Sequence, residues 1–252
     1  MTIYQKLKWF LTAGITETIG EAPVNRLQDR TSGLPDPMMK AADVSSDDPN
    51  GADHVFSEQA VALAQGATDL DDLYRRRADF DGCPLKKTAA HTLNGIGVEH
   101  PTVLCLLDTP DTADEKAGRL MSGPAGALLD KMLAAIGLHV ATNAYVSTLI
   151  PWRTPGNRLP TPVERAGCRP FWEREIALLQ PKLILVFGSG PAQEVIGQAS
   201  LSKARAMWGD YHGIPVRATL SPAMVLKMDT HRRAAWEDLK KVRDRLAEMG
   251  TV

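Results

Sequence analysis

Asp108 closes an apolar run, "TVLCLLD" (102–108). A carboxylate at such a point can take a proton from water as a general base; a cap on the loop that follows is the competing reading. A second run, "AYVSTLI" (144–150), carries Ser147 and Thr148 before it breaks into "PWRTPGNRLPTP". Prolines stiffen that loop, and Arg153 and Arg158 charge it, which suits a phosphate backbone. Asn157 serves either that contact or a Gly-Asn turn. A third run ends in "GSGPA", glycines that could cradle a phosphate at a helix N-terminus. It lacks the lysine of a P-loop and the full dinucleotide fingerprint, so close packing competes with that reading. A fourth run ends at Ser221-Pro222. Beyond it His231, Arg232, Arg233, Lys240, Lys241, Arg243 and Arg245 form either a solvated face or a phosphate-binding stripe.

Such groups need elements to hold them. The apolar runs 102–108, 144–150, 182–190 and 214–222 predict four strands. Helical spacing predicts helices over 126–138, 163–180, 191–197 and 231–249, with Pro170 kinking the second or marking its start. Two shorter helices are expected at 57–65 and 69–78. Strands separated by crossover helices predict an α/β fold: three layers, α/β/α, around a central, mainly parallel four-stranded sheet. Ligands of such a sheet bind beyond the carboxyl ends of the strands. Ahead of it, residues 1–22 read as an N-terminal helix, amphipathic rather than a signal peptide. Residues 23–55, rich in Pro, Gly, Ser and Asp, read as a flexible linker, and 56–252 as the main domain.

The 252 residues are 44% hydrophobic, enough for one sizeable core. A net charge of −1 provides no global field for nucleic acid, so any such surface is local. No apolar run approaches the roughly 20 residues of a membrane span. Three scattered cysteines suit a reducing cytoplasm, and no His or Cys pair has zinc-ligand spacing.

The segments "GRLMSGPAGALLDKMLAAIGL", "YVSTLIPWRTPGNRLPTPVERAGCRPFWEREIALLQPKLILVFGS" and "SPAMVLKMDTHRRAAWEDL" resemble, in that order, the family-four uracil-DNA glycosylases. "YQKLKWFLTAGITETIGEAPVNR" and "FDGCPLKKTA" resemble the amino-terminal part of the alphaproteobacterial members. "RTPGNRLPTP" with the downstream Trp236-x-Asp238-Leu239 carries the likeness. It implies a protein of base-excision repair that extracts a base from DNA and cleaves its glycosidic bond. The family's "GEAPG" loop positions water, the Phe of its "PFVG" stacks on uracil, an Asn reads the uracil edge, and the His of an "HP" pair stabilises the departing oxyanion.

This sequence departs from each motif. The water-positioning loop reads "LLDTPD", with Asp108 in place of Glu and Asp111 where backbone approaches substrate. Met121 stands at the stacking position, Thr148 at the uracil-reading position and Ser221 at the catalytic position. His231 is read as a phosphate or surface residue rather than a replacement. The departures predict a DNA-binding protein with absent or much reduced uracil excision. The alternative is a glycosylase of altered base specificity in which Asp108 activates water; a nucleotide-binding module built on "GSGPA" is the remotest reading. The resemblance places the DNA contacts on Arg153, Asn157, Arg158, His231 and Arg232. Family-four enzymes commonly carry a four-iron cluster on four cysteines. Only Cys83 and Cys168 match ligand positions; Phe80 and Trp152 occupy the other two. The expectation is no cluster and no other cofactor, with the aromatic pair as an apolar plug. DNA is the expected partner of a monomer, with a protein partner as a further expectation.

Overall fold

The computed structural model describes residues 58–250, which lie in one compact unit, Asp47–Val252. The expected N-terminal helix and the linker over 23–55 fall outside the described residues. Helix α1 (58–65) is followed by α2 (Leu70–Asp79), capped by Asp69, whose side chain accepts from the Asp72 N–H. Acidic residues in its first turn and arginines in its last suit the helix dipole.

The four expected strands form β2 (Val103–Leu107), β3 (Ala144–Thr148), β4 (Leu183–Phe187) and β6 (Ile214–Thr219), mutually parallel. Two short strands enlarge the expected four-stranded sheet to six. Strand β1 (Ile96–Gly97) pairs antiparallel with β3 and β5 (Gly209–Tyr211) antiparallel with β6, giving the order β1-β3-β2-β4-β6-β5. Their brevity leaves no apolar run for sequence reading to register.

Alternation along each strand builds the layers. Leu104 and Leu106 of β2 join one core with α2, α5 (Pro162–Leu179) and α6 (Ser189–Ile196). Val103 and Cys105 join the other, with α4 (Gly123–Ala134) and α9 (Asp229–Glu248). The result is the three-layer α/β/α architecture, its sheet mostly parallel. Short helices α3 (Thr112–Ala117), α7 (Leu201–Ala206) and α8 (Pro222–Lys227) complete it. Helix α5 starts at Pro162, after the Thr161 cap, and runs through Pro170 rather than beginning there.

A buried charge cluster ties β6 to α9. Asp238 accepts from Arg205 Nε at 2.5 Å and from Thr219 Oγ1 at 3.0 Å, with Arg217 alongside. The aspartate of the Trp-x-Asp-Leu signature is thus a structural anchor.

Candidate functional site

The parallel order β3-β2-β4-β6 places the topological switch between β2 and β4, where a doubly wound sheet opens its crevice. Register aligns the strand ends: Leu107 lies beside Thr148 and Phe187 beside Thr219. Asp108, Thr148, Gly188–Gly190 and Ser221 therefore meet at one end of the sheet. Ile150 donates its N–H to the Asp108 carbonyl at 3.1 Å, and a Cβ on Gly188 would stand 3.9 Å from the Ser221 Cβ.

Within the crevice Asp108 is paired. Arg165, at the start of α5, donates Nη1 to Oδ1 at 2.7 Å and Nη2 to Oδ2 at 3.0 Å. Gly190, in the first turn of α6, lies flat on this pair; a Cβ there would come within 2.5 Å of Oδ2 and 2.7 Å of Arg165 Nη2. The glycine of "GSGPA" is needed for that approach, so close packing explains it. Asp111 caps α3 in a reciprocal capping box with Asp114, and its charge is used by the Ala113 and Asp114 N–H groups. Burial raises the Asp114 carboxyl above the usual range, against hydrogen bonds from the Ser122 and Asp111 N–H groups.

Thr148 and Ser147 face opposite sides of β3. Ser147 donates to Glu175 at 2.6 Å, within a buried network in which Tyr74 bonds Glu175 at 2.5 Å and also contacts the Tyr145 hydroxyl. Burial and the nearby Glu175 push both tyrosines far above the ordinary range. Thr148 is 2% exposed and its hydroxyl has no hydrogen-bond partner. Ser221 caps α8, its hydroxyl accepting from Met224 N–H at 3.4 Å. Met121 takes a left-handed backbone, φ 60°, pressed against Gly126, where a side chain would strike its backbone. It packs on the α4-side core and lines a groove of about 590 Å³ with Ile96, Arg119 and Val140. Asp108, Thr148 and Ser221 do not line that groove.

The basic loop is also neutralised. Arg153 bonds Glu115 of α3. Arg158 is bidentate to Glu164, at 2.8 and 2.5 Å, and Glu164 closes a capping box with Thr161. The arginines lower both glutamates below the usual carboxylate range. Asn157 has φ 55° in the turn Pro155–Asn157, supporting its turn role. His231 donates Nδ1–H to the Met224 carbonyl at 3.0 Å, and Arg232 pairs with Asp229 at 3.3 Å. Lys240, Arg243 and Arg245 of the expected stripe likewise pair with Glu237, Asp244 and Glu248.

Sequence reasoning missed Arg165, Glu115, Glu164 and Glu175. Thr161-x-x-Glu164 is a legible capping box. Nothing in one sequence signals that Arg165 reaches Asp108.

On the far side of β3 from Thr148, Phe80, Cys83, Trp152 and Cys168 share one buried core cluster with Phe171. The Phe80 and Phe171 rings lie 5.3 Å apart, and Trp152 Nε1 donates to Thr92 at 3.0 Å. The hydrogen bond between the thiols lowers Cys83, while the same bond and burial raise Cys168. Among the described residues no group of three or more His, Cys, Asp or Glu is disposed to hold a metal ion.

Fold and site together define a doubly wound α/β protein with its polar groups gathered at the strand ends. The model of the uracil DNA glycosylase superfamily matches residues 95–240, over half of the chain, and the chain belongs to that superfamily. The Type-4 uracil-DNA glycosylase of Archaeoglobus fulgidus is 29% identical over 184 residues, 69% of this chain and 91% of the relative. Those of Pyrobaculum aerophilum and Thermotoga maritima are 28% and 27% identical, covering 68% and 67% of this chain and 91% and 90% of their own. No helix among the described residues is long and apolar enough to cross a membrane.

Proposed function

We propose that this chain is a DNA-binding protein of base-excision repair whose uracil excision is absent or much reduced. The observation that carries this reading is that the strand-end polar groups are either paired within the chain or buried. Asp108 is clamped by Arg165, Ser221 caps α8, and Thr148 is buried beneath the surface. Against the family pattern, the amide, imidazole and aromatic positions hold Thr148, Ser221 and Met121. One lost preorganised donor costs roughly 10²–10³ in rate, and two such losses with a lost stacking ring leave little activity. The pairing of both Asp108 oxygens counts against the reading in which Asp108 activates water.

A four-iron cluster needs four thiolates, and two of its positions hold bulky side chains in the core. Phe80 is 0% and Trp152 1% exposed. These residues do not fit the group, and no step of the proposed function passes through it. The three buried, free thiols support a reducing cytoplasm as the setting, where the chain acts as a monomer on DNA, with a protein partner as a further member of the pathway.

The test is incubation of the full chain with single- and double-stranded oligonucleotides containing uracil, hypoxanthine or xanthine, followed by alkali. Intact strands are expected, together with salt-sensitive binding. Cleavage that disappears in Asp108→Asn establishes the glycosylase alternative instead. Restoring Thr148→Asn, Ser221→His and Met121→Phe together asks whether the scaffold regains excision. Broad visible absorbance in freshly purified protein would overturn the cluster-free reading.

A further inference from the structure

The connection between β3 and α5 carries Arg153 and Arg158, and the first turn of α5 carries Arg165; each is matched by a carboxylate of the same chain. Arg153 meets Glu115, Arg158 meets Glu164 and Arg165 meets Asp108. Two hydrogen bonds tie this region together. Thr154 Oγ1 donates to the Arg158 carbonyl at 2.7 Å, tying the ends of the loop. Ile150 N–H bonds the Asp108 carbonyl, tying the loop's origin to the crevice. The carboxylates come from three places: the end of β2, helix α3 and the start of α5 itself. Two of the three contacts are bidentate, the geometry with which a guanidinium also holds a phosphate. A loop that looks basic in sequence is therefore neutral at its surface.

We propose that Asp108, Glu115 and Glu164 mask a phosphate-binding surface on this connection, standing where the oxygens of a nucleic-acid backbone would otherwise bind. The occupant follows from the reading that the partner is DNA, on which this inference rests. Binding then requires phosphates to displace carboxylates. Affinity is low, and the number of counterions released is smaller than the arginines alone would give. Arg153 and Arg165 are only 23% and 14% exposed while paired.

The test uses the full chain with Asp108→Asn and Glu115→Gln, which keep shape and remove charge. Glu164 is left alone because it also caps α5. Binding of a single-stranded oligonucleotide and, separately, of inorganic tripolyphosphate is titrated across salt, with thermal melting to verify folding. Each variant is expected to bind about threefold to tenfold tighter at low salt, with the log–log salt slope for the oligonucleotide steeper by about 0.7 per freed arginine. Arg153→Ala added to Glu115→Gln should return binding to the wild-type level, which a merely structural role for Glu115 would not produce. Equal affinities and slopes in wild type and both variants overturn the masking. A gain for tripolyphosphate with no oligonucleotide bound by any of the proteins upholds the masking and overturns the DNA reading.

Discussion

The core around Cys83 and Cys168 and the strand-end crevice satisfy their side chains in opposite ways. Around Cys83 and Cys168 the neighbouring side chains are large and apolar: Phe80 packs on Phe171 and the Trp152 indole finds Thr92. That region is core, with the indole N–H partnered. At the strand ends the side chains are polar and only partly satisfied. Asp108 needs Arg165, and the Thr148 hydroxyl has no partner. An aromatic side chain fills lost volume and gains burial energy in doing so. A buried polar group instead needs directed hydrogen bonds that no packing replaces. The first region is packed core, while the second is a crevice whose carboxylate is held by the chain's own arginine.

Emptying the aromatic plug should have the largest effect. Trp152→Ala should lower unfolding stability by about 3–5 kcal/mol, as large aromatic truncations in cores do, and Phe80→Ala should fall in the same range. Urea unfolding at unchanged m-value measures it. A loss under about 1 kcal/mol would mean that the region collapses freely and is not a packed core.

The crevice is tested with a smaller change. Gly190→Ala brings a Cβ within 2.5 Å of Asp108 Oδ2, so the ion pair has to move, at about 1–3 kcal/mol for overpacking. The cost should shrink in an Asp108→Ala background, where the obstructing carboxylate is gone. Additive effects in that double-mutant cycle would show that Gly190 serves something other than the pair.

What sequence could convey follows the same division. The four parallel strands were legible as continuous apolar runs and helices α4, α5 and α9 as long periodic ones; β1 and β5 were not, being two and three residues long. Asp108, Thr148 and Ser221 were correctly placed at strand ends, since topology alone sends strand ends to one side of the sheet. Their partners were illegible. Arg165 looked like one charge on a helix, and Arg153 and Arg158 looked like free cations. Charge compensation between distant segments leaves no local pattern, so the loop reads as basic until Glu115 and Glu164 are seen against it.

The smallest expected effect is the sharpest for the crevice. Thr148 sits 2% exposed with an unpartnered hydroxyl, while Ser147 beside it satisfies Glu175. Thr148→Val swaps that hydroxyl for a methyl of similar size and relieves an unpaired buried oxygen, which costs about 1–3 kcal/mol where it goes wholly unmet. Stability should therefore stay level or rise by up to about 1 kcal/mol, since relaxation already recovers part of that cost. The same change on a hydroxyl that holds a ligand or an ordered water would instead lose stability or binding. A fall in melting temperature for Thr148→Val would thus show the strand end to be occupied in solution, and the crevice to be less self-contained than the plug.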